Sequence, residues 1–153
     1  INPVSRWRIA LPKLLASLAV TTPFLLVSAV VSTVIAFGGD IRAVGAVSIS
    51  VITGATLYAS VFTWAGLVTR RALAAGLIYV FLWEGLLSSF VDGIKYLSLR
   101  EYILALVKGI DPDRFSGSGQ STIELPAAAT GIVIVFTAFF LLSVRRLRNM
   151  DVP

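Results

Sequence analysis

An all-α, polytopic membrane protein with four transmembrane helices and one short external amphipathic or re-entrant helix is the fold class this sequence predicts, on three observations. Hydrophobic residues make up 57% of the chain and charged residues 14%, against roughly 25% charged in an average soluble domain, so a water-soluble fold would have too little polar surface. Four stretches, residues 14–37, 43–68, 72–91 and 125–144, are free of charge except for Glu84 in the third, and each is long enough as a helix to cross a hydrocarbon core of ~30 Å. A fifth apolar-periodic segment, residues 99–108, reaches only about 15 Å at ~1.5 Å per residue, so it must lie in the interface or dip in and return.

The same composition excludes several chemistries. There is no cysteine and no histidine, which removes disulfides, thiolate chemistry, haem ligation by His and the usual zinc sites. The net charge of +5 is compatible with nucleic acid, but its placement fits membrane orientation better, and no nucleic-acid partner is expected. The sequence starts at Ile1 with no secretory-signal pattern, and the expectation is a piece of a longer polypeptide.

Residues 1–13 gather Arg6, Arg8 and Lys13 around Trp7, a composition that suits a headgroup interface. Ser5 is placed to cap a short cytoplasmic helix that either anchors there or docks on a partner. In the first span Pro12 is expected in the first turn, where no hydrogen bond is lost, while Pro23 falls inside and should kink the helix. Gly38, Gly39 and Asp40 end that span, and the short GGDIR linker makes the first two spans antiparallel neighbours.

The second span carries Ser50, Thr53, Thr56, Ser60 and Thr63 at intervals of three or four, which reads as a hydroxyl stripe on roughly one helical face. With Ala55 and Ala59 it serves either helix packing or the lining of a pathway. Thr69, Arg70 and Arg71 make a tight basic turn into the third span, whose Ala72, Ala75 and Gly76 permit a close crossing. Glu84 lies ~18 Å beyond that turn. A carboxylate at such a depth is a functional candidate, with Lys95 or Arg100 as partner.

The short helix opens on Ser98 and Glu101 in capping-box spacing, sets Leu99, Tyr102, Ile103, Leu106 and Val107 on one face, and is expected to stop before Gly109. The following IDPDRFSGSGQST reads as a flexible exposed loop with no site. Pro126 opens the fourth span, which ends in Arg145, Arg146 and Arg148 ahead of the 145–153 tail. Counting Lys and Arg, the face with residues 1–13, 69–71 and 145–153 holds eight in 25 residues and the other face five in 38, which makes the first cytoplasmic and the short helix external.

Two segments carry a family resemblance. Pro3, Val4, Ser5, Arg6, Trp7 and Arg8, with Lys13 before a span, resemble the start of the cytoplasmic coupling segment of ABC-2 type transporter permeases. LIYVFLWEGLLSSFVDGIKYLSLREYILAL, residues 77–106, is similar to the fifth span and following external helices of that family. The resemblance implies the coupling segment plus the last four spans of a permease half in the cell inner or plasma membrane, with both ends cytoplasmic. It further implies an exporter whose pathway forms with a second permease half, among membrane lipids, driven by a separate nucleotide-binding ATPase subunit. Residues 3–8 would then couple to that ATPase, and Glu84, Lys95, Arg100 and Tyr102 would form an external gate.

No cofactor is expected on this chain, because it lacks a G-x-x-x-x-G-K-S/T loop and its SGSGQS segment has no following Lys. ATP and Mg belong to the ATPase, and the chain is read as a transport subunit rather than an enzyme. The competing readings are a membrane scaffold or assembly protein without transport, and a proton-coupled secondary carrier using Glu84.

Overall fold

The computed structural model describes residues 7–69, 71–82, 98–115, 117 and 123–149, with the backbone alone for 7–10, 72, 73 and 147–149. Among them the regular elements are helices: α1 Trp7–Phe37, α2 Ile41–Val68, α3 Ala72–Ile78, α4 Leu99–Ile110, α5 Pro112–Phe115 and α6 Leu125–Asn149. Three stretches, Leu11–Phe37, Ile41–Val68 and Leu125–Arg146, are long and apolar enough to cross a membrane, which is the architecture of a membrane protein. Of the fourth expected span, residues 72–91, the first part is seen as α3 continued by a π-helical turn over 79–82. Its remainder, with Glu84, lies outside the described residues.

Helix α1 begins at Trp7 and continues through the expected membrane boundary at Leu14, so Pro12 and Pro23 are both inside it. Pro12 is therefore not in the first turn, and it removes one hydrogen bond to the carbonyl four residues back. Extending an existing helix needs one bond per residue, whereas a separate helix needs a costly nucleus. Trp7 and Arg8 accordingly continue into α1 rather than standing in a helix of their own. At the other end Gly38 and Gly39 take φ of 66° and 83°, left-handed values that glycine adopts without a Cβ clash. Asp40 then caps α2, its Oδ1 accepting the Arg42 N–H at 2.8 Å. This starts α2 at Ile41, two residues before the expected Ala43, and folds α1 back along α2.

Helix α2 is the centre of the bundle, packed by α1, α4 and α6. Its buried positions are Ala43, Ala46, Ser50, Gly54, Leu57 and Ser60. Mostly small residues at three- and four-residue spacing let neighbouring backbones approach, which is how helices associate where lipid removes any hydrophobic gain between them. Trp64 meets Phe139 of α6 edge to face, centroids 5.5 Å apart. Thr69 Oγ1 accepts the Arg71 N–H at 3.2 Å in the turn to α3, and Gly76 lies under the Phe62 ring, where a Cβ would come within 2.8 Å. That is the close crossing the small residues of α3 allow.

Two pairs of contacts set the direction of α4. Gly109 is covered by Leu125 and Gly131 by Tyr102, so α4 runs antiparallel to α6, with ~10 Å of one matched to ~9 Å of the other. Gly54 of α2 receives Ile103, level with Tyr102. From these levels α2 and α6 both continue away from α4 to the Trp64 and Phe139 contact, so they are parallel. The start of α1, the turn at residues 69–71 and Arg145 and Arg146 thus share one end of the bundle. The turn at Asp40 and the short helix α5 share the other.

Candidate functional site

The unusual feature is α4, twelve residues set between two helices of more than twice its length. Of its residues only Arg100, Gly109 and Ile110 are exposed. Ile103 faces α2, while Tyr102 and Ala105 face α6 and the buried Ile123 and Ala128. A side chain on Gly54, Gly109 or Gly131 would overlap Ile103, Leu125 or Tyr102 respectively, so the three glycines are seats that hold α4 in one register. The helix runs to Ile110, past the expected stop before Gly109, because that glycine does not take the left-handed φ by which glycine ends a helix, as Gly38 and Gly39 do.

The N-terminal end of α4 departs from the capping box. Ser98 has the extended N-cap backbone, φ −89° and ψ 122°, but its side chain makes no cap bond. Among the described residues its Oγ is buried without a hydrogen-bond partner, and so is Oε2 of Glu101, a residue 8% exposed. The backbone is thus right for the motif while the two side chains are not used for it. An unsatisfied polar group held away from water costs about 1–3 kcal/mol, so this end of α4 is seated against resistance.

At the C-terminal end Asp111 likewise buries its Oδ2 without a hydrogen-bond partner among the described residues, but the segment beyond it is tied down. Helix α5 follows α4 directly, and its Arg114 pairs with Oδ2 of Asp40 at 2.6 Å. The same guanidinium lies 5.8 Å from the centre of the Phe37 ring, and Phe115 meets Phe37 edge to face at 5.2 Å. The first residues of the expected flexible loop are therefore packed on the turn between α1 and α2. Asp40 is held below the ordinary carboxylate value of 3.8, first by the Arg42 N–H and further by the charge of Arg114.

A cleft of about 730 Å³ opens along α1 and α2. Ser17, Thr21 and Ser28 of α1 and Ser50 and Tyr58 of α2 are its polar lining, with Ile103 of α4 and Val80 of the π turn at its edges. Ser50 is the one member of the expected stripe that reaches it. At ~100° per residue the stripe drifts through ~140° between Ser50 and Thr63, so the five do not share a face. The hydroxyls of Thr53, Thr56 and Ser60 donate to the carbonyls of Ile49, Ile52 and Leu57 at 2.8, 2.8 and 2.7 Å, and Thr63 is half-buried on the flank.

Among the expected gate residues, Tyr102 is at the α4–α6 contact and Arg100 is on the exposed side of α4. Glu84 and Lys95 lie outside the described residues, as do Pro3, Val4, Ser5 and Arg6, while Trp7 and Arg8 are seen only as helical backbone. The sequence reading missed Glu101 as a buried carboxylate, taking it as a capping partner, and missed Asp40 with Arg114. The spacing of Gly54, Gly109 and Gly131 gave no signal, because their partners come from other helices.

The chain matches no known family model, no curated protein and no solved structure.

Proposed function

We propose that this chain is the membrane-embedded part of a permease subunit of an ABC-2 type ATP-binding cassette transporter, and an exporter. It would form the substrate pathway with a second permease half, powered by a separate nucleotide-binding ATPase that holds ATP and Mg. Residues 3–8 would take up the motion of that ATPase, and ATP-driven closure would rock the two halves between inward and outward openings. In this reading the chain has four spans in the cell membrane, with both ends cytoplasmic, and α4 is a re-entrant helix entered from outside.

One observation carries the reading: a half-length helix antiparallel to α6 and wedged against α2. From Leu125 to Arg145 α6 is about 30 Å long, one hydrocarbon core. With Leu125 at the outer boundary, Gly109 lies at that boundary and Ser98 about 16 Å below it, near the middle of the layer. Non-helical backbone at such depth is tolerated only inside protein or along a water-filled cavity. A scaffold needs full spans alone, whereas a movable half-span is useful to a pathway.

The test is reconstitution of the full-length protein with its co-purifying ATPase. ATP-dependent transport that fails when Arg6 and Trp7 are replaced by Ala, with insertion unchanged, is the expected result, since Trp and Arg most often carry interface energy. Transport driven by a proton gradient without ATP, and lost in Glu84→Gln, would reject the permease in favour of a secondary carrier.

A further inference from the structure

Resting on the reading of α4 as a gate, we propose that Asp40, Arg114 and Phe37 form an external latch that keeps α4 seated, and that its release lets the Ser98 end of α4 reach water. Both ends of α4 bury unpartnered oxygens among the described residues, but only the end that leads into α5 is tied to another element by an ion pair. At the inner end the hydroxyl of Ser98 and Oε2 of Glu101 are buried with no partner among the described residues, so water around them would be a gain. Along the middle, Ile103, Tyr102 and Leu125 occupy the spaces left by Gly54, Gly131 and Gly109, contacts that hold position but are apolar and can be remade after a slide.

At the outer end the chain turns into α5 through Asp111, whose Oδ2 is also buried without a partner among the described residues, but here Arg114 is fixed twice, by Asp40 at 2.6 Å and over the Phe37 ring at 5.8 Å. Asp40 is suited to hold it. Its Oδ1 is occupied as the cap of α2 and its Oδ2 faces Arg114, so the carboxylate is oriented by the long-helix pair before the arginine arrives. The latch therefore joins the element that would move to the α1–α2 turn that would not.

The pair is also reachable from solution, with side-chain exposures of 41% for Arg114 and 29% for Asp40. An exposed ion pair is weakened by salt, over a Debye length of about 8 Å at physiological strength and 3 Å at 1 M. The ring contact is less sensitive to salt, which sets a floor on how far the latch loosens. Outer ionic conditions, or a ligand carrying a competing charge, thus act on α4 through Arg114.

The experiment uses the full chain in proteoliposomes, with Ser98→Cys as the one cysteine in a sequence that has none, and follows labelling by a membrane-impermeant maleimide. Asp40→Asn keeps a good N-cap residue and removes only the charge, so labelling should speed up about fivefold; Arg114→Gln loses the ring contact as well and should reach about tenfold. On the same folded proteins, 1 M NaCl should accelerate labelling when Asp40 and Arg114 are intact and leave Asp40→Asn unchanged. Equal labelling rates in all three backgrounds and no salt effect would overturn the latch. Because the readout needs neither ATP nor transport, loss of the permease reading would leave these rates as they are, and loss of the latch would leave ATP-dependent transport as it is.

Discussion

Helix α1 turns Phe24 and Ile35 outward at 77% and 79% exposure, while α4, less than half as long, buries its polar Ser98 and Glu101. In water this contrast would be an error twice over. In lipid it is consistent: apolar side chains on α1 meet a solvent as apolar as themselves, and three of its six hydroxyls bond to their own helix. Thr21, Ser32 and Thr33 donate to Ser17, Ser28 and Ala29 carbonyls at 2.8, 2.8 and 2.7 Å. At α4, Ser98 Oγ, Glu101 Oε2 and Asp111 Oδ2 are buried without a partner among the described residues, and its fit is determined by three glycines on three helices. One helix is shaped by the surrounding solvent and the other by its neighbours.

The strongest way to break this contrast is to add volume to both helices' surroundings. Gly109→Leu and Gly131→Leu should each destabilise the fold by about 3 kcal/mol, the upper part of the usual range for overpacking, measured by SDS titration in mixed micelles. Ala19→Leu on the exposed side of α1 should stay within about 0.5 kcal/mol. Equal costs at the two places would mean that α4 is not seated by shape.

A smaller effect sharpens the polar half of the comparison. Ser98→Ala removes a buried hydroxyl that has no partner among the described residues, so the fold should become more stable by about 1 kcal/mol. Ser32→Ala on α1 removes an exposed hydroxyl with a local bond and should change stability by less than about 0.5 kcal/mol. A loss of stability in Ser98→Ala would show that the hydroxyl is satisfied in the membrane.

The least effect is expected from pH. Since the carboxyl of Asp40 is held below its ordinary 3.8 by the Arg42 N–H and by Arg114, its contribution is fully present above that value and is lost as pH falls through the lower, folded value. The difference in thermal midpoint between the unaltered protein and Asp40→Asn should therefore be constant from about pH 8 to 5 and shrink only below about 4. A difference that changes near neutral pH would mean that another group controls the α5 contact.

The long helices were readable because their signals are local. An uncharged run of membrane length, a GGD turn and a basic terminus each act within a few residues, and α1, α2 and α6 follow them with shifts at the ends. The shifts have local causes too, the continuation of α1 through Pro12 among them. The candidate site was only partly readable. Tyr102 packs on Gly131 and Ser50 lines the cleft, but Ser98 and Glu101 read equally well as a capping pair, since the spacing that makes a capping box does not say which way the side chains turn.

By itself, then, the sequence determined that the chain is helical, membrane-bound and built from antiparallel neighbours, because periodicity, hydropathy and turn chemistry operate over one or two helical turns. Only the tertiary structure decided that α4 stands between α2 and α6, that Glu101 is enclosed rather than capping, and that Arg114 reaches Asp40. An amphipathic twelve-residue helix has the same pattern on a membrane surface as in a bundle, and which it occupies depends on whether glycines on distant helices leave room for it.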